Sequence, residues 1–382
     1  MPRQSSRRRS RNWAASVVVS ESFLNGLAET GIGDGVDVDP LIRTFQLPLM
    51  GPMELVIDMT IVGVTFVMDP ANDGRLLATI RATGTVEATG DSPMPILPGV
   101  ARVRGDVLVD PIIELRDDHS FVAILDVLNS ELVDMELEGI EGLDADGEAQ
   151  EQMSRMLFDA LGGELFRGLA EKLGSIGLEL GPEQGEAVAD LGVATGPAEV
   201  RVEKGHVTVG LLATPGLVGS ASPVEVGGGR IGVGLASGSL AVLVEHLSRE
   251  RLGMGLPFDL DLDTRERRLD GRIRNYRLGD SLPDLRPGLR YTIRPRLVDG
   301  QVELTLREAW VELPDVIPTF TQPINRLNRW IGGVASRAPL TVRVPSRVSL
   351  PVRPGSTATM RASIVDLSVG ADGVHVTVDA AL

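Results

Sequence analysis

The sequence predicts an α+β protein of two tandem, elongated repeats, each a meander of long antiparallel strands with one long amphipathic helix. Three observations carry this. Runs with period-two alternation, rich in β-branched residues and bounded by turn signals, fill much of the chain. Each half holds one aliphatic stripe at helical spacing. Each half ends in a hairpin containing the same four residues, HVTV, at His206–Val209 and His375–Val378. The joint falls in TPGLVGSASPVEVGGGR, Thr214–Arg230, whose Gly, Pro and Ser content is that of a linker. The divisions are a basic tail at 1–14, a first repeat at 15–213, a linker at 214–230 and a second repeat at 231–382.

The elements follow in order. In VVVSESFLNGLAE, Val17–Glu29, a β-branched run stops at a serine and becomes a short apolar helix. The same device returns in LASGSLAVLVEH, Leu235–His246, where Ser237 and Ser239 line up with Ser20 and Ser22 and Leu240 with Phe23. Helix capping is the reading for Ser237 and Ser239. Strands are expected over Met53–Asp69, Arg75–Gly90, Val100–Asp118 and Phe121–Ile140, with a PANDG turn after the first. In the second of these, Leu77, Thr79, Arg81 and Thr83 share one side and Ile80 and Ala82 the other. One sheet face should be apolar and the other wet.

The period then changes. Met153, Leu157, Leu161, Leu165 and Leu169 fall at helical spacing within Glu148–Leu173, with Met156 alongside. Asp144, Asp146, Glu148 and Glu151 crowd the start of this helix, where the dipole favours negative charge. Strands resume at Ala198–Val202 and Val207–Leu212. The second half offers Leu256–Asp263, Leu269–Leu278, Leu289–Val298 and Val302–Leu313, then a helix carrying Phe320, Ile324, Leu327, Ile331 and Val334.

Composition narrows the function. Of 382 residues, 43% are hydrophobic but only 3% aromatic, so aliphatic side chains must fill the interior. The absence of cysteine excludes disulfides, thiolate metal sites and a cysteine nucleophile. A net charge of −16 argues against general nucleic-acid binding, and the charge is uneven. Residues 1–191 hold 14 basic and 33 acidic side chains, net −19, leaving 23 and 20, net +3, for residues 192–382. The basic stretches Arg265–Arg296 and Arg326–Arg361 read either as solvated strand faces or as contacts for anionic lipid headgroups.

His119, His206, His246 and His375 are scattered, so no zinc or haem site is expected. No G-x-S-x-G elbow occurs, and GGGRIGVG lacks a phosphate-loop pattern and reads as a linker running into a strand. Asp259, Asp261 and Asp263 share one strand face, where calcium would need oxygens from another element; a solvated face is the simpler account. The apolar run after the basic start is too short for a secretory signal and is interrupted by Glu21. No run of about 18 uninterrupted apolar residues suggests a membrane-spanning helix. The expectation is a cytoplasmic protein, with peripheral membrane contact allowed.

The order of elements resembles the tubular lipid-binding superfamily, whose familiar member is the bactericidal permeability-increasing protein. The resemblance rests on SESFLNGLAE and its echo SGSLAVLVEH, the strand meanders, and the helices Glu148–Leu173 and Phe320–Val334. It implies a highly twisted sheet wrapped around each long helix, forming a tube that takes acyl chains. The residues it nominates as lipid-binding in the first repeat are Phe23, Leu24, Leu27, Met153, Met156, Leu157 and Leu161. In the second they are Leu240, Val244, Phe320, Ile324, Leu327 and Ile331. Arg272, Arg274, Arg290 and Arg294 would meet a headgroup or membrane surface.

The expected function is non-catalytic lipid binding or transfer. No catalytic residue, metal or cofactor is expected beyond a bound phospholipid or fatty acid. Two alternatives stay open. One is an assembly scaffold with filled cores, whose arginine-rich start (Arg3, Arg7, Arg8, Arg9, Arg11) docks an acidic partner. The other is a hydrolase acting on lipid.

Overall fold

The computed structural model describes residues 12–47, 51–90, 99–141, 163–242, 259–265, 268–274, 288–299, 301–312, 341–345, 347–351, 359–370 and 373–381. Their architecture is antiparallel sheet with a few helices. Strand β1, Trp13–Ser20, runs straight into helix α1, Glu21–Ile32. Ser20 makes the switch. It keeps extended backbone (φ −76°, ψ 150°), and its Oγ accepts from the Phe23 N–H at 3.3 Å. One orphan donor of the first turn is thereby satisfied. Gly33, at φ +56°, ends the helix.

Four long strands follow: β4, Gly51–Val67; β5, Leu76–Gly90; β6, Gly99–Leu115; and β7, Phe121–Glu141. The expected meander is present at nearly the expected boundaries. It is extended by β2, Val36–Asp37, and β3, Leu41–Leu47, both on β4, by β8, Ser175–Leu180, on β7, and by β9, Gly196–Pro197, on β6. The β4–β5 turn is the PANDG segment. Asp69 Oδ1 accepts from the Ala71 N–H at 2.9 Å, and Asp73 and Gly74 take positive φ.

Before β8, residues 163–173 form a helix, α2, and after it Pro182–Asp190 form α3. The expected helix over Glu148–Leu173 is therefore seen in its last part; the rest lies outside the described residues.

The second sheet draws on both halves of the chain. Its strands are β10, Glu199–Glu203; β11, His206–Leu212; β12, Arg230–Leu235; β18, Arg347–Pro351; β19, Thr359–Gly370; and β20, Gly373–Ala381. With β1 they order as β10-β11-β1-β12-β20-β19-β18. At the centre β1 pairs β12, with Val17 opposite Val233. Each is flanked by one HVTV strand: His206 pairs Ser20, and His375 pairs Gly234.

The segment between the halves packs onto this centre. Ser16 Oγ donates to the Ser222 carbonyl at 2.6 Å, and the Trp13 N–H donates to Ser220 Oγ at 3.1 Å. Gly232 and Gly234 make room for it; a Cβ on Gly234 would stand 2.3 Å from the Ser222 oxygen. Residues 237–242 are helical, forming α4. The capping reading of Ser237 and Ser239 is corrected here. Both hydroxyls act as donors, Ser239 Oγ to the Ala14 carbonyl at 2.9 Å and Ser237 Oγ to the Val218 carbonyl at 3.4 Å. They tie α4 to β1 and to the joining segment.

The third sheet comprises β13, Asp259–Arg265; β14, Arg268–Arg274; β15, Gly288–Val298; β16, Gln301–Glu312; and β17, Thr341–Pro345, paired in sequence order. Four of these match the strands expected in the second half.

Among the described residues no helix is long and apolar enough to cross a membrane. One large aliphatic core joins α1, α2, β1, the inner face of β4–β7, and β10–β11.

Candidate functional site

The inner face of the eight-stranded sheet is built by alternation, and its interruptions are corrected locally. On β4, Leu55, Ile57, Met59 and Ile61 point inward. Continuing that parity would turn Val64, Phe66 and Met68 outward. A bulge between Ile61 and Gly63 adds one residue, leaves Val62 exposed, and returns all three to the core. On β5, Leu76, Ala78, Ile80 and Ala82 are buried, on the side expected for Ile80 and Ala82. On β6, Ala101, Val103, Val107 and Val109 alternate with more exposed positions. The lining is aliphatic plus methionine, with Phe66 the largest side chain that is fully buried.

Helix α2 closes this face. Leu165, Phe166, Leu169, Ala170 and Leu173 are all buried. Its polar side reaches the β2–β3 edge. Arg43 Nε donates to Glu164 Oε2 at 2.6 Å, and Lys172 Nζ lies 2.9 Å from Asp39 Oδ1. The Arg43–Glu164 bond raises the arginine pKa and lowers that of the carboxyl. Gly168 sits over Val38. Gly174, at φ +59°, then turns the chain into β8, which pairs β7 from Phe121 to Asp126. The helix thus joins one edge of the meander to the other, and the apolar face lies enclosed between them.

Helix α1 holds the near end through backbone mimicry. Asn25 accepts from the Phe66 N–H at 2.6 Å and donates to the Phe66 carbonyl at 3.1 Å. Glu21 Oε2 accepts from the Met68 N–H at 2.8 Å. Two side chains therefore stand in for a neighbouring strand on β4.

The far end is different. At Val127–Ser130, four residues of β7 face the single residue Val109. Asn129 is fastened to Asp126, N–H to Oδ1 at 3.2 Å and Nδ2 to Oδ2 at 2.7 Å. Beyond this corner the register places Leu132 opposite Val107 and Met135 opposite Gly105, on the inner face. Val107 is fully buried, yet Leu132 is 37% exposed and Met135 is half-buried. At β7 the apolar face meets solvent.

The nominated residues fall as follows. Phe23 is buried, and Leu24 and Leu27 are half-buried; Leu24 packs against the main core. Leu240 is buried in α4. Met153, Met156, Leu157, Leu161, Val244, Phe320, Ile324, Leu327 and Ile331 lie outside the described residues. In the third sheet, Arg272 stands in register with Asp261 on one side and Arg290 on the other, and Arg274 with Asp259. Arg294 is exposed opposite Thr305. Two of the three aspartates of FDLDLD thus stand opposite arginines, and no metal-holding cluster occurs among the described residues.

Sequence reading singled out neither the Asn25–Phe66 clasp nor the Leu132–Met135 margin. The only signal for the margin was LNS, Leu128–Ser130, a turn-forming dipeptide inside an apolar run.

No protein-family model matches the chain, and no curated protein matches it. Solved structures do. A lipopolysaccharide binding protein aligns over 97% of this chain and 99% of its own, at 10% identity and a TM-score of 0.36. P47 from Clostridium botulinum A2 aligns over 97% of each chain, at 8% identity and a TM-score of 0.41. P47 of Clostridium botulinum E1 aligns over 97% and 98%, at 6% identity and a TM-score of 0.41. At such values the likeness says nothing of activity or ligand. What the fold defines is an antiparallel α+β protein with an apolar face enclosed by a helix.

Proposed function

We propose that the chain is a non-catalytic lipid-binding or lipid-transfer protein that holds acyl chains against the inner face of β4–β7. One observation carries the reading: an apolar face spanning four long strands is covered by α1 and α2 at one end and reaches solvent at Leu132 and Met135. An acyl chain entering there gains about 0.8 kcal/mol for each CH₂ it buries. Methionine on the margin suits a cargo of variable shape. The rest of the proposal is a second such unit in residues 231–382, supported by the paired placement of β1 and β12 between the two HVTV strands.

The test is mass spectrometry of organic extracts from the purified protein, with a native-mass run alongside. A stoichiometric phospholipid, fatty acid or sterol supports the proposal and names the cargo. Protein at its bare chain mass that also takes up no labelled lipid overturns it.

A second reading has its own support. Every described residue of α2 that faces inward is packed into one core with β2 and β4–β6. That part is filled, as a scaffold protein would have it. The scaffold reading requires stable oligomers and no extractable lipid.

A further inference from the structure

The outer face of the meander carries a feature of its own. Arg81 on β5 is directly opposite Arg104 on β6, and Arg102 is opposite Thr83, one step along the same face. Like charges facing each other across a ladder are destabilising. They occur here in the half of the chain that has only 14 basic residues against 33 acidic ones.

The local partners do not use them up evenly. Arg104 Nη2 donates to Asp106 Oδ2 at 2.9 Å, and the other oxygen of Asp106 accepts from Thr79 Oγ1 at 2.6 Å. Glu136 stands opposite Arg104 in register. Arg81 is exposed and has no acidic partner among the described residues. On its other side it faces Gly63, where an added Cβ would meet nothing within 4 Å. The strand position paired with Arg81 on β4 is therefore open.

We infer that Arg81, with Arg104 beside it, binds a phosphate-type oxyanion on the back of the eight-stranded sheet. A planar guanidinium accepts two oxygens of such a group side by side, and the anion relieves the Arg81–Arg104 repulsion. Thr83 lies beside the pair with its hydroxyl as a further donor. The phosphate is either a lipid headgroup at a membrane surface or a free phosphate compound. This inference does not rest on the enclosed apolar face, and the lipid-extraction result leaves it unchanged.

The experiment compares the full chain with Arg81→Gln. Thermal unfolding is followed in inorganic phosphate and in chloride of equal ionic strength. Sedimentation is followed with vesicles of phosphatidylcholine alone and of phosphatidylcholine with phosphatidylglycerol. Wild type should unfold at a higher temperature in phosphate than in matched chloride, and Arg81→Gln should lose that difference. In chloride the variant should be no less stable than wild type, because the repulsion is gone. Loss of one charge-assisted contact should weaken phosphate affinity roughly tenfold or more.

Co-sedimentation with anionic vesicles that is lost in the variant assigns the phosphate to a headgroup. Stabilisation by phosphate without vesicle binding assigns it to a soluble compound. An equal response of both proteins to phosphate and chloride, with no difference in vesicle binding, overturns the inference. Should Arg81→Gln fail to fold, Arg81→Lys keeps the charge and loses the two-pronged geometry, and the same readouts apply.

Discussion

Strands β6 and β11 belong to different sheets and teach different things. Along β6, buried and exposed residues alternate, and the outward side chains Arg102, Arg104 and Asp106 are polar. Along β11 the five residues Val207–Leu211 are all buried. Yet HVTVGLL reads as alternating, with Thr208 and Gly210 between the aliphatic positions. The small residues of β11 do not face water. At Gly210 the cover is the indole of the neighbouring strand β1: a Cβ there would lie 2.1 Å from the Trp13 ring. Alternation with Arg, Asp or Glu marks a wet face, whereas alternation with Gly, Ser or Thr here marks a tightly covered one. The seven-stranded sheet is a spine buried at its centre from both sides. The eight-stranded sheet has one dry face and one wet face, and both proposed sites lie on it.

The largest effects should fall on the spine. Trp13 stacks on Gly210, lies under Arg201 at 4.9 Å, and donates from Nε1 to Glu199 at 3.2 Å. Trp13→Ala should cost about 3–5 kcal/mol, measured by denaturant unfolding. Gly210→Ala should cost about 1–3 kcal/mol by overpacking. A smaller loss would show that the Trp13 ring is not held tightly against Gly210.

Next comes the clasp at the near end of the meander. Asn25→Ala leaves the Phe66 N–H and carbonyl without partners. It should cost about 1–3 kcal/mol, and hydrogen exchange at Phe66 should quicken.

On the margin the expectation reverses. Leu132→Lys should change stability by less than about 1 kcal/mol, because the site is already partly wet. Under the proposed function it should lower uptake of a labelled fatty acid or phospholipid severalfold. A large stability loss with unchanged uptake would mean that the margin is ordinary core.

The smallest effect concerns pH. Bonds from Ser120 Oγ (2.6 Å) and the Ser120 N–H (2.9 Å) hold the Asp118 carboxyl below the usual aspartate range. A folded-state pKa that is lowered contributes stability above the unfolded value, near 3.9, and that stability is lost as pH falls through the folded value. Asp118→Asn should therefore lower stability slightly at neutral pH, converge with wild type below the folded-state value, and so flatten the acid limb of the stability–pH curve.

The contrast also explains what the sequence could show. The β4–β7 meander was legible because long period-two runs end at PANDG and RDDHS, and local chemistry decides both turns. The stop of β1 at Ser20 was legible because a capping serine acts on its own first turn. The four-to-one corner in β7 was not, since its cost and benefit depend on Val109 in another strand. The pairing of β1 with β12 was equally hidden, because no local signal reports a partner more than 200 residues away. Ser237 and Ser239 misled for the same reason: their acceptors, Val218 and Ala14, lie in other elements. The enclosed face was legible as stripes of aliphatic residues, but its margin at Leu132 depends on where β8 stops, which the stripe does not encode.

The position of β1 at the centre of the spine has a consequence for synthesis. Among the described strands it is made before the others, and its neighbours are β11, ending at Leu212, and β12, ending at Leu235. At about 5–20 residues per second, the run WAASVVVS emerges and waits roughly ten to forty seconds for β12 to be made. During that interval it is an unpaired, apolar β-former on a nascent chain, and a chaperone that holds extended segments would find its client there.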